Sequence, residues 1–314
     1  MYDLIGDVHG YADHLEALLK KLGYVKRNNT WSHPDRQVIF LGDFIDRGPL
    51  QLETVQIARH MVDAGSALVV MGNHELNAVS YATPDPDYPG EFLRRHDEKN
   101  ERQHRQFLQA VGEGSALHQE ITAWFKTLPL YLDLPELRVV HACWHEPSLQ
   151  VLDDYLDEHN CLKNDAWVVA ARADTPVYQA VEVLLKGLEL PLPGDAHFFD
   201  KDKNLRRHFR ARWWERNPAS YREIALVPPE ALASIPDEAP PDDLLPGYDG
   251  RKLLFLGHYW LQAEKPIPLT KHIACLDYSI ASENVAGNNQ LGKLVAYQWQ
   301  GEDVLTPDHF VWVS

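Results

Sequence analysis

The sequence is poor in cysteine and in long apolar runs. Its 314 residues include only three cysteines, Cys143, Cys161 and Cys275, and these lack the paired spacing of a metal-binding motif. A disulfide framework and a cysteine-based zinc site are therefore not expected. No run of about 18 apolar residues occurs, so we expect no membrane-spanning helix and no membrane partner.

Basic charge is also scarce. The 30 basic residues are outnumbered by 46 acidic ones, which gives a formal net charge of -16. A protein this acidic repels polyanions, so nucleic acid is not expected as a partner. Met1 leads almost directly into the first predicted strand, which leaves no room for a signal peptide. Together with the few cysteines, this predicts a cytoplasmic protein.

The first third of the chain alternates strands with helices. Apolar runs predict strands over residues 2–5, 38–41 and 68–71, and helical spacing of apolar residues predicts helices over 15–22 and 52–62. This order indicates right-handed crossovers and a mostly parallel stretch of sheet.

The rest of the chain is expected to complete a single domain over residues 1–314. Residues 84–127 predict a helical cap, with one helix in 91–112 and another in 116–128. Residues 145–250 are expected to form a variable insert. Within the insert, the arginine-rich segment 201–218 is expected to be a solvated helix with its tryptophans packed inward. The alternative is a basic, aromatic lid that holds an anionic substrate.

Polar residues follow several of the predicted strands in a repeated pattern. An apolar run, a glycine and then polar residues occur in "YDLIGDVHG", "FLGDFIDRG" and "ALVVMGNHE". The later blocks "RVVHAC" and "FLGHYW" each place a histidine after an apolar run. Ligands gather beyond the carboxyl ends of parallel strands, so we expect these blocks to converge in space.

The residue types in these blocks predict a site for two metal ions. Carboxylate oxygens, amide oxygens and imidazole nitrogens are all metal ligands. The candidate ligands are Asp7, His9, Asp43, Asn73, His141 and His258. Two ions held about 3.5 to 4 Å apart form a clamp for displacement at phosphorus.

The residues beside these ligands predict an ester-cleaving site. Arg47 is expected to bind a phosphate, and His74 to protonate the leaving oxygen. Asp46 is expected to orient His74. The remaining histidines are expected to be surface or structural residues; they include His60, His104, His118 and His208.

The five blocks, in this order, resemble the calcineurin-like metallophosphoesterases. "DRG" and "GNHE" together look like the phosphoprotein phosphatase branch, and the bacterial and bacteriophage lambda-type members are the most similar. The resemblance implies an α/β fold of four layers, in which two mixed sheets form a sandwich flanked by helices.

The resemblance also implies a ligand assignment. Asp7, His9 and Asp43 would bind one metal, and Asp43, Asn73, His141 and His258 would bind the other. Manganese is expected, with iron or zinc as alternatives. The reaction would be direct attack by metal-bound hydroxide.

Other features of this chain depart from the family pattern or match it only in outline. Cys143 and Trp144 follow His-Ala where the family usually has glycine or aspartate. Trp260 stands where many wider relatives have a second histidine. The segment "RWWERNP" resembles the stretch that carries a second phosphate-binding arginine, which selects Arg216; Asn73 and Arg47 complete the expected substrate contacts.

Three functions are compatible with these features. The leading prediction is a phosphomonoesterase, similar to a protein phosphatase, that acts on a phosphoprotein or a phosphorylated small molecule. The first alternative is symmetric hydrolysis of diadenosine tetraphosphate. The second, of a different class, is an inactive module that only binds phosphate groups.

Overall fold

The computed structural model describes residues 1–200, 203–282 and 292–314 of the chain. The strands are β1 (Tyr2–Ile5), β2 (Val25–Arg27), β3 (Thr30–Ser32), β4 (Gln37–Phe40), β5 (Ala67–Val69), β6 (Tyr131–Asp133), β7 (Leu137–Val140), β8 (Glu189–Pro191), β9 (Phe198–Phe199), β10 (Leu205–Arg206), β11 (His208–Ala211), β12 (Ala225–Leu226), β13 (Leu253–Leu256), β14 (Ile273–Cys275), β15 (Asp277–Tyr278), β16 (Lys293–Trp299) and β17 (Phe310–Val313). The α-helices are α1 (Ala12–Lys21), α2 (Gln51–Asp63), α3 (Asn73–Ala82), α4 (Glu98–Val111), α5 (Ala116–Phe125), α6 (Glu146–Leu152), α7 (Ala166–Ala170), α8 (Pro176–Lys186) and α9 (Tyr221–Ile224).

The first sheet contains six strands in the order β15–β16–β1–β4–β5, with β17 also paired to β16. Strands β1, β4 and β5 run parallel to one another, whereas β16 runs antiparallel to β1. The strands predicted over residues 2–5, 38–41 and 68–71 are therefore confirmed as the parallel part of this sheet.

The second sheet has the order β14–β13–β7–β6. Strand β13 is parallel to β7 and to β14, and β6 is antiparallel to β7. Both sheets are thus mixed, as the resemblance implied.

The two sheets pack face to face through alternating side chains. Leu4 and Ile39 of the first sheet lie in one buried cluster with Val139 and Phe255 of the second, and all four side chains are fully buried. Their neighbours in the strands face the opposite way, because successive side chains of a strand point to opposite faces of its sheet.

Helices cover both outer faces of this sandwich. Helices α1 and α2 pack on the first sheet through apolar side chains such as Leu18 and Met61. On the second sheet, the backbone N–H of Ala142, just after β7, donates to the carbonyl of Leu184 in α8 at 2.8 Å. The architecture is therefore the predicted four-layer sandwich. Within the described residues, no helix is long and apolar enough to cross a membrane.

Helices α3 and α4 both pack against α5, and α4 also packs against α2. Helix α4 begins at Glu98 rather than near residue 91, because the Asp97 side chain caps it by accepting the N–H of Asn100 at 2.8 Å. The Ser115 hydroxyl caps α5 in the same way. Sequence analysis did not predict α3. The role of residues 84–127 as a cap stays a prediction.

The segment 145–250 adds a small three-stranded sheet, β12–β11–β8, and the strand pair β9–β10. The helix expected in 201–218 is wrong, since strands β10 and β11 occupy its described part. The tryptophans do pack inward: Trp213 is 0% and Trp214 is 4% exposed. Residues 201–202 of this segment, and 283–291 near the end of the chain, lie outside the described residues.

Candidate metal centre and active site

The predicted site residues lie where strands of both sheets end. They are Asp7 and His9 after β1, Asp43 after β4, Asn73 at the start of α3, His141 after β7 and His258 after β13. Backbone hydrogen bonds join these loops within each sheet, and His141 Nδ1, 2.7 Å from the carbonyl oxygen of Leu41, links the two sheets. The N–H of Gly257 donates to the carbonyl of His141 at 2.8 Å, and the N–H of Val8 donates to the carbonyl of Asp43 at 3.0 Å. Residues far apart in sequence therefore share one end of the sandwich.

The carboxylate of Asp43 lies at the centre of the cluster. Its Oδ2 is 3.3 Å from His141 Nε2, 3.7 Å from His9 Nε2 and 3.9 Å from His74 Nε2. Ligand atoms of His9, Asp43 and His74 all lie within 4.8 Å of one another, and so do those of Asp43, His141 and His258. Asp43 is therefore the residue that the two groups share.

Asn73 and Asp7 complete the cluster. Asn73 Oδ1 is 2.8 Å from His258 Nδ1 and 3.3 Å from His141 Nε2. Asp7 Oδ2 accepts the backbone N–H of His258 at 3.1 Å, and its Oδ1 makes no hydrogen bond to the described residues. The structure thus brings all six predicted ligands together.

Several ligand atoms have no protein partner in the part of the chain that is described. Asp7 Oδ1, His9 Nε2 and His258 Nε2 are buried and make no hydrogen bond there. A buried polar atom without a partner is unfavourable and calls for an explanation. Carboxylate oxygens and imidazole nitrogens bind divalent ions such as manganese, iron and zinc, so this donor set fits a metal centre.

The charges of the cluster also fit bound cations. Burial and the nearby carboxylate of Asp277 raise the pKa of Asp7 well above its usual range. Burial, helped by the nearby His74, lowers the pKa of His9 to about 3. Burial also lowers the pKa of His258 well below its usual value. A cation would relieve the repulsion between the buried acids, and a neutral imidazole is the form that binds metal.

The backbone of the site is strained. Six of its non-glycine residues have left-handed φ values, from 48° at His9 to 72° at Arg47. These residues are His9, Asp43, Asp46, Arg47, His258 and Trp260. Such conformations are rare outside glycine and concentrate at functional sites.

Glu75 ties the strained loop after β4 to the loop before α3. Its carboxylate accepts the backbone N–H groups of Asp43 at 2.8 Å, Phe44 at 2.8 Å and Gly72 at 3.0 Å. Burial, with the charge of Asp43 adding to it, raises the pKa of Glu75 to about 7. Gly72 has to be glycine, since a Cβ there would lie 2.2 Å from Asp43 Oδ1.

Asp46 contacts His74 as expected, and a second histidine contacts Asp46 as well. Asp46 Oδ2 is 2.5 Å from His74 Nδ1, and Asp46 Oδ1 is 2.8 Å from His104 Nδ1. Burial opposes a charge on His74, but Asp43 and Asp46 outweigh it and raise the pKa of His74. Sequence analysis missed His104, because helical spacing alone does not distinguish it from other histidines of residues 84–127.

A cavity of about 350 Å³ opens beside the cluster, and the predicted Arg47 lies on its wall. Arg210 of β11 also lines this cavity, and its Nε is buried without a hydrogen-bond partner among the described residues. The guanidinium carbon of Arg47 is 3.7 Å from the ring centre of Trp260, which is 40% exposed. The cavity therefore has a cationic wall beside the metal ligands.

Arg216 lies elsewhere. Its Nη2 donates to the carbonyl of Tyr248 at 2.7 Å, and it lines a different cavity, together with Asn217 and Asp242. Arg210 comes from the same arginine-rich segment and reaches the cavity instead. Only the pairing of β11 with its neighbours decides which arginine does so.

The sequence profile of the calcineurin-like phosphoesterase family matches residues 2–216 of the chain. Similar proteins include the asymmetrical bis(5'-nucleosyl)-tetraphosphatase PrpE of Bacillus subtilis, which is 31% identical over 144 residues. That match covers 45% of this chain and 57% of the relative. The protein of the same name from Halalkalibacterium halodurans is 47% identical over 74 residues, which are 23% of this chain and 30% of the relative. The chain therefore spans about half or less of the length of these relatives.

A solved structure shares the fold. The cold-active protein-tyrosine phosphatase of the psychrophile Shewanella sp. has a TM-score of 0.50 and 17% identity, over 95% of this chain and 75% of that one. At this identity the likeness shows the fold alone. The family profile, however, covers more than half of the chain. The chain belongs to the calcineurin-like phosphoesterase family.

Proposed function

We propose that the chain hydrolyses phosphoric esters of small molecules with the help of two divalent metal ions, and that nucleoside polyphosphates are its substrate class. The observation that carries the metal-dependent chemistry is the position of Asp43 in two overlapping ligand groups. The relatives named as tetraphosphatases support the substrate class. We propose manganese as the metal, with iron or zinc as alternatives. The three buried free cysteines agree with a reducing compartment such as the cytoplasm.

Asp7, His9 and Asp43 would hold one ion, and Asp43, Asn73, His141 and His258 the other. Bound there, the ions would neutralise charge on the phosphate and lower the pKa of an attacking water. The side chains around the ions would carry out the other steps, which are phosphate binding and proton transfer.

The side chains that line the cavity would have different roles in binding and catalysis. Arg47 and Arg210 would bind phosphate oxygens through their guanidinium N–H groups, which suit this geometry. His74 would give a proton from Nε2 to the leaving oxygen, while Asp46 accepts the Nδ1–H and fixes the ring. The exposed part of Trp260 and the side chain of Leu226, which both line the cavity, offer apolar surface against which a nucleobase can pack.

A second candidate function is hydrolysis of phosphomonoesters, including phosphoproteins. The pair of Asp46 and His74 favours it, because protonation of the leaving oxygen matters most for alkyl esters, whose leaving groups are poor. Cleavage of a dinucleotide depends less on protonation of the leaving oxygen, because its leaving group is itself a phosphate.

Turnover of three substrates by manganese-loaded protein tests the proposal. Diadenosine tetraphosphate should have a kcat/KM about tenfold or more above those of 4-nitrophenyl phosphate and a phosphoserine peptide, or about 1.4 kcal/mol in transition-state binding. The products identify the cut: ATP and AMP mean asymmetric cleavage, and two ADP mean symmetric cleavage. Preference for the peptide would support the second candidate. Binding without any turnover would indicate a phosphate-binding module, and activity that survives complete chelation would refute the metal mechanism.

Two arginine variants provide a matched pair. Arg210→Ala should lower kcat/KM by about tenfold to a hundredfold, as expected when a hydrogen bond to a charged group is lost. Arg216→Ala, from the same segment, should leave it within about twofold, an effect of at most a few tenths of a kcal/mol. The reverse order of effects would assign the phosphate contact to Arg216.

A further inference from the structure

Asp46 is held from both sides by histidines that lie far apart in the sequence. Asp46 is only 2% exposed, and its two carboxylate oxygens face His74 Nδ1 and His104 Nδ1 at 2.5 and 2.8 Å. An ionised carboxylate only accepts hydrogen bonds, so both ring nitrogens are donors here. Both oxygens are therefore engaged, and the plane of the carboxylate is fixed.

His104 is placed for this contact by apolar packing. The residue is 5% exposed, and its ring centre lies 4.9 Å from that of Phe107 and 5.5 Å from that of Tyr81. Its Nε2 is buried without a partner among residues 1–200, 203–282 and 292–314. An apolar side chain would fill this space without a buried, unpaired nitrogen. What the imidazole adds over such a side chain is the bond to Asp46.

We propose that His104 is a positioning residue for the acid step, which deepens the proposed function and rests on it. By holding Oδ1 of Asp46, His104 keeps Oδ2 directed at Nδ1 of His74. The opposite nitrogen, His74 Nε2, then stays turned toward the metal ligands, 3.9 Å from Asp43 Oδ2. Without His104, Asp46 is free to rotate, and His74 loses its fixed orientation.

Variants of His104 test this role through the leaving group. His104→Leu should lower kcat by about tenfold for an alkyl phosphate, the effect of one lost hydrogen bond, and change KM by less than about twofold. For 4-nitrophenyl phosphate the loss in kcat should be smaller, because that leaving group needs little protonation. His104→Asn should recover part of the alkyl phosphate rate, since its amide offers a donor near the place of Nδ1.

His118→Leu is the matched control. His118 lies in α5, is 3% exposed and has a buried Nε2 without a partner in the described part of the chain. Its Nδ1 accepts the backbone N–H of Gly114 at 3.1 Å rather than facing Asp46. Equal losses in the two leucine variants, or a loss at His104 that does not depend on the leaving group, would overturn the proposal.

A spectroscopic measurement separates this proposal from the proposed function. The protein is loaded with zinc and its histidine rings carry a nitrogen isotope label for NMR. The signal of His74 Nδ1–H should then be observed in the wild type and in His118→Leu. It should be shifted or lost in His104→Leu. If the wild type hydrolyses none of the esters, the proposed function fails, while this signal still decides whether His104 fixes His74. An unchanged signal in His104→Leu would refute the positioning role.

Discussion

Removal of the ring of Trp260 should weaken phosphate binding through Arg47. The guanidinium carbon of Arg47 is 3.7 Å from the centre of that ring. The guanidinium forms no hydrogen bond or ion pair with the described residues. The ring stacks on it, and the more distant carboxylates of Asp43 and Asp277 attract it. The backbone of Trp260 is itself held in place, because its N–H donates a hydrogen bond to Asp277 Oδ2 at 2.7 Å.

The expected size of the effect follows from this geometry. A cation–π contact at a partly exposed site contributes about 0.5 to 1 kcal/mol. An arginine released from such a contact has to be ordered again when phosphate binds, and its side chain has up to about 2 kcal/mol of rotamer entropy to lose. Trp260→Ala should therefore weaken phosphate binding by about 1 to 2 kcal/mol, which is about fivefold to thirtyfold.

Competitive inhibition by inorganic phosphate measures this directly, with kcat/KM for 4-nitrophenyl phosphate as a second readout. Trp260→Phe keeps an aromatic face and should retain most of the affinity, whereas Trp260→Leu keeps bulk alone and should behave like alanine. The double variant with Arg47→Ala should show a coupling energy of about 1 kcal/mol between the two residues. Additive effects of the two single variants would refute the claim that Trp260 acts through Arg47.

Three further predictions concern the ligands and the thiols. Asp43→Asn has one oxygen ligand fewer, so it should lower the metal content measured by mass spectrometry and abolish turnover; near-normal values of both would contradict the bridging role. In Gly257→Ala the new Cβ would lie 2.1 Å from Asp7 Oδ1, so the carboxylate has to move. A displacement of about 1 Å can lower the rate of an enzyme by about a hundredfold, so kcat of this variant should fall by about that factor. Its circular dichroism spectrum should match that of the wild type, which would show that the fold is intact. All three cysteines are buried, so the native protein should not react with a thiol reagent at pH 8, and the unfolded protein should react at each of them; a fast-reacting native thiol would be inconsistent with the burial of Cys143, Cys161 and Cys275.

Much of the first sheet and its loops could be predicted from local patterns. A buried strand such as β1 or β4 is a short apolar run, and the glycine and aspartate after it mark the turn that leaves the sheet. Since parallel strands end at one edge, the blocks containing Asp7, Asp43 and Asn73 had to meet. The resemblance to a family then assigned His141 and His258 to the same cluster.

Other features depend on contacts that no local pattern encodes. The segment 201–218 reads as a helix in isolation, but pairing with β8 and β12 makes part of it a strand. That pairing brings Arg210, rather than Arg216, to the cavity. The contact of His104 with Asp46 joins residues 58 positions apart.

The sequence by itself determined which side chains can bind metal and which strand ends carry them, because these properties depend on residue type and on short-range periodicity. Only the tertiary structure decided which arginine lines the cavity, which histidine supports Asp46 and which ring covers Arg47. Those choices depend on the packing of helices and strands distant in the chain, where a shift of one residue turns a side chain to the opposite face.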